Sequence, residues 1–245
     1  MSIVLVNGIV ARYTDYRESD RILTLYTREQ GRLEVAARGC RKAKSPLLCA
    51  AQPFAYGEFT LFYNHDKYTL NCADVRETFY PLRNDYDRFA AGSYLLWLTC
   101  SGAQTGLANE QMFSMLYHAL SFLAYTDCPA EDLTLGYLLR YLDRNGYCPS
   151  LIRCANCNKD LRKLQGIRFD ERAGGAVCPD CGSGRPVSNL ALEAMRRMLM
   201  LPDAELHKIR LPHKIYLELK EILPRYAEAV LERPIQLPKS NMIKL

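Results

Sequence analysis

Four cysteines constrain this chain more than any other feature. Cys154-Ala-Asn-Cys157 and Cys178-Pro-Asp-Cys181 form two C-x2-C pairs with 20 residues between them. Each pair makes a tight knuckle holding two thiolates on one side, and folding the segment back on itself completes the tetrahedral ligand set of a zinc ion. The competing readings are four buried free thiols or a redox pair, and no βαβ pattern surrounds either pair as a redox motif requires. Four thiolates close the coordination shell, so no position remains for water or substrate. The expected zinc is structural, folding a segment too small for its own apolar core. Within the segment, Gly166-Ile-Arg-Phe169 is expected as a strand and Ala173-Gly174-Gly175 as the turn into the next. Asn158 and Gly182 each follow the second cysteine of a pair, and both tolerate the positive φ such turns need.

The chain has 245 residues, 49% hydrophobic and 24% charged, the mix of an ordinary globular protein long enough for two or more compact units. No apolar run approaches the ~20 residues of a membrane-spanning helix. Met1–Asn7 reads as no secretory signal, and the expected location is the cytoplasm, associated with the nucleoid. Ten cysteines then have to be explained in a reducing compartment. Cys49, Cys72, Cys100 and Cys128 are expected as small core residues. Cys148 precedes the ribbon, but its spacing fits no knuckle. Cys40 lies between Arg38 and Arg41 and is expected as a plain loop residue, the alternative being a reactive thiol acidified by the positive charge.

The hydrophobic period divides the chain. Up to about Val75 it is β-like: Ile3–Val10, Arg21–Thr27, Leu33–Ala37, Phe54–Tyr63 and Tyr68–Val75 are expected strands. Glu29-Gln30-Gly31 and Asn64-His65-Asp66-Lys67 are hairpin links, and Ser45-Pro46 starts a short helix over Leu47–Ala51. Five strands with a short helix between the third and fourth suit an OB-type barrel; a β-sandwich fragment or SH3-like barrel is the competing form. From Arg83 the period becomes helical, with stripes through Phe89–Leu98, Met112–Leu123 and Leu135–Leu142, then helices over Ser188–Leu201 and His213–Glu232. The expected fold is therefore α+β. Residues 1–80 form the barrel, 81–150 the first part of a helical domain, 151–186 an inserted zinc ribbon, and 187–245 the rest of the helical domain.

Charge distribution says more than the net +5. Residues 81–150 carry 4 Lys+Arg against 7 Asp+Glu, whereas 151–186 carry 7 against 4. No acidic residue lies between Glu34 and Glu58, but Arg38, Arg41, Lys42 and Lys44 do. A glycine and clustered cations leaving a strand can track a phosphate backbone, because amides and side chains approach it unobstructed. The plain alternative is a solvated basic loop, and an OB-type barrel, whose loops commonly hold oligonucleotides, favours binding. Tyr13, Tyr16 and Tyr26 are candidate stacking surfaces, each with ordinary barrel packing as its alternative. Asp15, Glu18 and Asp20 are interleaved with Arg17 and Arg21, as expected of surface pairing. No phosphate-loop, nucleophile-elbow or H-E-x-x-H motif occurs, and the four histidines are scattered, so no enzyme chemistry is expected.

The stretch Gly8-Ile-Val-Ala-Arg-Tyr-Thr-Asp-Tyr-Arg-Glu-Ser-Asp-Arg-Ile-Leu-Thr-Leu-Tyr-Thr-Arg-Glu-Gln-Gly31 resembles the amino-terminal signature of the RecO family of bacterial recombination mediators. Ala37–Ser45, Gln52-Pro-Phe, Gly57-Glu, the four-cysteine ribbon and the closing Pro238-Lys-Ser240 are similar too. The resemblance implies an OB-type barrel, a helical domain and an inserted ribbon. It also implies binding of single- and double-stranded DNA, strand annealing, and work with RecR to help RecA replace the single-strand-binding protein SSB. Carried over residue by residue, it makes Arg38, Arg41, Lys42 and Lys44 DNA contacts. Cys40 departs from the small residues commoner there. A zinc-ribbon accessory factor of transcription or translation, binding RNA or a polymerase, is the alternative function, and a metal-dependent nuclease a third.

Overall fold

The computed structural model describes residues 2–238, so Lys239 and Ser240 of the closing motif lie outside the described residues. The chain divides into two compact units, Met1–Asp85 with Gly92–Ala124, and Tyr86–Ala91 with Tyr125–Leu245.

The first unit is built on five strands: β1 (Ser2–Tyr16), β2 (Asp20–Thr27), β3 (Gly31–Ala37), β4 (Tyr56–Asn64) and β5 (Lys67–Glu77). They close on themselves in the order β1-β2-β3-β5-β4. Closure depends on β1, whose first half pairs with β4 from Ser2 to Ile9 while its second half pairs with β2 from Gly8 to Tyr16. An irregularity between Val10 and Arg12 lets one strand serve two neighbours. The parallel pairs Val35–Tyr68 and Ala36–Thr69 seal the barrel. Leu33, Val35 and Ala37 point inward while Arg32 and Glu34 do not, the period of two expected from the sequence. The interior is filled by Val6, Val10, Leu23, Leu25, Leu33, Val35, Phe59, Leu61 and Leu70. A Cβ on Gly57 would lie 2.0 Å from the Asp74 carbonyl oxygen, so β4 and β5 can approach this closely only at glycine.

Gly31 takes φ 64° in the β2–β3 hairpin, as expected, and the β4–β5 link turns through His65 and Asp66, both at positive φ. The expected helix over Leu47–Ala51 is instead a run of turns. Ser45 Oγ does accept from the Leu47 amide (3.3 Å), and Leu47 O accepts from Ala51 N (2.9 Å), but one turn does not propagate before Gln52-Pro53. Cys72 is exposed, not in the core: β5 slips register between the partners of Thr60 and Leu61, which turns Cys72 outward. Cys49, on the turns, is exposed as well. The first unit is completed by α2 (Glu110–Tyr125), whose Phe113 stacks on Tyr26 at 5.9 Å and whose Tyr117 meets Tyr56 at 4.9 Å, and by most of α1 (Tyr86–Gly102).

The second unit packs α3 (Ala130–Arg144) against α4 (Asn189–Met200) and α5 (His213–Leu231). Every residue from Asp132 to Leu142 is buried. Ser188 caps α4 as its sequence suggests, its Oγ accepting from the Ala191 amide. At the other end of α4, Arg140 donates to the Leu199 and Leu201 carbonyls at 2.7 and 2.6 Å and to Asp203 at 2.7 Å. A guanidinium thus satisfies main-chain acceptors at a helix C-terminus, where the dipole favours a cation. Between α3 and α4 lies the ribbon, with β6 (Arg168–Asp170), β7 (Gly175–Val177) and β8 (Arg185–Pro186) in the order β7-β6-β8. The fold class is α+β, with a five-stranded OB-type barrel and a four-cysteine segment inserted among helices.

Candidate nucleic-acid interface and metal centre

Residues 38–55 connect β3 to β4, and Arg38, Arg41, Lys42 and Lys44 are all exposed there. The loop is fastened at its base. The Arg41 amide donates to the Ser19 carbonyl (3.0 Å), and the Gly39 amide donates to Asp20 Oδ1 (2.7 Å). Lys42 N and Ser45 N close successive turns on Gly39 O and Lys42 O. Gly39 sits at φ 64°, which a residue with a Cβ adopts only under strain. Arg41 also reaches across, its Nη1 to the Arg17 carbonyl (3.5 Å) and its Nη2 to Asp15 (3.6 Å). Arg38, Lys42 and Lys44 form no ion pair among the described residues.

These bonds bring the β1–β2 turn to the loop, about twenty positions away in sequence. Arg21 donates to Asp15 at 3.0 Å, a pairing expected at the surface although the Arg21 side chain is only 12% exposed, and its guanidinium lies 3.6 Å from the centroid of the Tyr13 ring. Arg17 lies over Tyr16 at 5.1 Å. Tyr13 and Tyr16 are exposed, whereas Tyr26 is 2% exposed and packs on Phe113, so Tyr26 is a core residue and no stacking surface. Arg17 and Arg21 were legible only as partners of carboxylates; their place beside Arg41 depends on barrel pairing. Cys40 also differs from expectation. It is buried in the barrel core, and burial outweighs the nearby Arg21 charge, so its thiol is pushed up and not acidified.

The four ribbon cysteines converge. Their Sγ atoms all lie within 4.8 Å of one another, with Cys154–Cys181 at 3.7 Å and Cys157–Cys178 at 3.6 Å. Thiolates bound tetrahedrally at ~2.3 Å stand ~3.8 Å apart, so the spacing fits a bound metal ion. Asn158 and Gly182 take φ 64° and 65°, and their amides donate to the Cys154 and Cys178 carbonyls, closing both knuckles. Burial opposes ionisation of Cys154, but the amides of Cys178, Cys157 and Asn156 outweigh it and hold its thiol at about 6. Interaction with Cys178, Cys154 and Cys157 pushes Cys181 to about 12. A divalent cation bound here would take its cysteine ligands as thiolates. Cys148 lies outside the group; burial, then Asp143, pushes its thiol to about 11.

A groove of about 580 Å³ lies in the second unit. Leu190, Met198, Met200 and Ile215 give it apolar walls, and Arg197, Lys208 and Arg210 stand at it with one acid, Glu193. Leu190 and Met200 are 71% and 83% exposed, large apolar surface without cover. Sequence spacing gave no sign of it, because α4 and the segment before α5 meet only through the fold.

Residues 1–79 match the family model described as recombination protein O N terminal, and residues 83–238 match recombination protein O C terminal. The chain belongs to the RecO family. It is similar to the DNA repair protein RecO of Pelotomaculum thermopropionicum, at 32% identity over 240 residues, 96% of this chain and 92% of the relative. It is also similar to the DNA repair protein RecO of Alkaliphilus metalliredigens, at 28% identity over 235 residues, 94% and 95% of the two chains. Membership of the RecO family makes this a DNA repair and recombination protein, with both halves matched in order. No helix among its described residues is long and apolar enough to cross a membrane.

Proposed function

We propose that this RecO-family chain is a non-enzymatic recombination mediator. It holds single- and double-stranded DNA on the β3–β4 loop through Arg38, Arg41, Lys42 and Lys44, and it anneals complementary strands. With RecR it helps RecA load onto DNA coated by SSB. The observation that carries this reading is the exposed cationic loop, free of acidic residues and anchored through Gly39 and Arg41 to the β1–β2 turn of an OB-type barrel. Two strands repel one another, and a fixed set of cations lets them meet. Phosphate contacts carry no base information, which suits a protein that must act on any sequence.

Cys154, Cys157, Cys178 and Cys181 would hold a structural zinc, which when bound closes the ribbon. The groove of the second unit, with apolar walls and Arg197, Lys208 and Arg210 beside them, suits a peptide that carries both acidic and apolar side chains. The test is annealing of complementary oligonucleotides coated with SSB, with and without RecR, followed by RecA loading. Faster duplex formation on coated strands, and RecA loading that needs RecR, are expected. Binding to RNA alone would return the accessory-factor reading. Shortening of labelled DNA in magnesium would make the chain a nuclease.

A further inference from the structure

Tyr13 differs from its neighbour Tyr16 in how closely a guanidinium covers it, Arg21 at 3.6 Å against Arg17 at 5.1 Å over Tyr16. It lies near the far end of β1, beyond the irregularity at Val10–Arg12, and is 36% exposed. Its ring has a guanidinium 3.6 Å from its centroid. That guanidinium is fixed: Arg21 donates Nε to Asp15 (3.0 Å) and Nη1 to the Ala51 carbonyl (3.0 Å), and its side chain is only 12% exposed. Arg21 is thus bound on three sides, by a carboxylate, a carbonyl and a ring. Asp15 in turn reaches Arg41 of the cationic loop at 3.6 Å. Tyr13, Arg21, Asp15 and Arg41 form one continuous chain of contacts from an aromatic face to a proposed phosphate contact.

A tyrosine backed by a fixed guanidinium is an aromatic surface whose ordering entropy has already been spent in folding. Through Arg21 and Asp15 it is linked to Arg41 of the loop that carries the cations. Asp15 does not spoil this site for an anion, because two guanidinium groups already neutralise it. Phosphates are present in single strands and duplexes alike, so the cations of the loop cannot tell them apart. An unstacked base can. It presents a π-face that a duplex keeps covered, and such faces stack on aromatic side chains without regard to sequence.

We infer that Tyr13, held by Arg21, is the base-stacking residue that makes this interface prefer single strands over duplex. The inference rests on the proposed DNA-binding loop and adds to it the chemical class that the loop alone cannot select. Tyr13 stacks an unpaired base while the loop cations hold the adjoining phosphates. Arg21 is its positioning residue.

The test uses the full chain with zinc bound. Tyr13→Leu keeps apolar bulk and removes the ring, and Tyr13→Phe keeps the ring and removes the hydroxyl. Equilibrium binding is measured on an oligonucleotide and its duplex over a salt series. Tyr13→Leu is expected to weaken single-strand binding by about 5- to 150-fold, the range for one stacked base. Duplex affinity and both salt slopes should stay within about twofold of the parent, since no charge is removed. Tyr13→Phe should bind as the parent does. Equal loss on both DNA forms, or no loss on either, overturns the stacking role. Should Tyr13→Leu not fold, Tyr13→Trp in a Trp97→Phe background gives a direct signal. Stacking quenches its fluorescence with single strands and not with duplex, and the absence of quenching overturns the inference. A salt slope unmoved by removing the loop cations would displace the whole interface. A normal response to cation removal with no effect at Tyr13 would reject only the stacking residue.

Discussion

Replacing Arg38, Lys42 and Lys44 together by Ala tests the cationic loop where its geometry is least ambiguous. All three side chains are exposed and form no ion pair among the described residues, so their charges are available to phosphates. Arg41 is left in place because its side chain already engages Asp15 and the Arg17 carbonyl. Each phosphate contact contributes about 0.7 to the slope of log K against log salt on single strands and about 0.9 on duplex. Three lost contacts therefore flatten the slope by about 2.1 and 2.7. Between 50 and 200 mM salt, the parent should lose about 20-fold more affinity than the variant on single strands, and about 40-fold more on duplex. Fluorescence anisotropy across that series measures it. The fold should survive, since exposed loop substitutions usually change stability by no more than about 0.5 kcal/mol. Annealing should slow in parallel with binding. A variant that folds, retains its metal and keeps the parent slope would refute the reasoning and move the DNA site elsewhere.

Two further outcomes follow from the second unit. Cys178→Ser should reduce bound zinc from one equivalent to a small fraction by metal analysis, and hydrogen exchange should rise within residues 151–186 while the barrel keeps its protection. Zinc-free parent protein, purified without chelators, would reject the metal assignment. Asp132 gives a pH test. Burial pushes its carboxyl up against the opposing effect of the Leu211 amide, which donates to Oδ2 at 2.9 Å. An acid harder to ionise folded than unfolded contributes stability that is complete below the ordinary Asp range and is lost as pH rises through the raised value. Asp132→Asn, still able to accept from Leu211, should therefore raise the melting temperature at neutral pH and leave it unchanged at about pH 3. An equal shift at both pH values would reject the burial account.

What the sequence determined by itself are the features written in short spacings. The alternation over Leu33–Ala37 fixed a half-buried strand because successive side chains of a strand face opposite ways. The two C-x2-C pairs led to four converging thiols because each knuckle is local, closed by turns at Asn158 and Gly182. Ser188 capped its helix for the same local reason. The cationic run from Arg38 to Lys44 was visible because a loop leaving a strand keeps its charges in water. Tertiary structure decided everything that joins residues distant along the chain. Closure of the barrel set the β3–β4 loop against the β1–β2 turn, linked Arg41 to Asp15, and put Arg21 over Tyr13. It buried Cys40 between two exposed arginines, reversing the shift that neighbouring charge suggested, since desolvation in the core exceeds attraction across it. It covered Tyr26 with Phe113 and turned Cys72 outward through a slip of register. Chemistry carried by neighbours in sequence is legible there; burial and cross-strand partnership depend on which surfaces the whole chain removes from water.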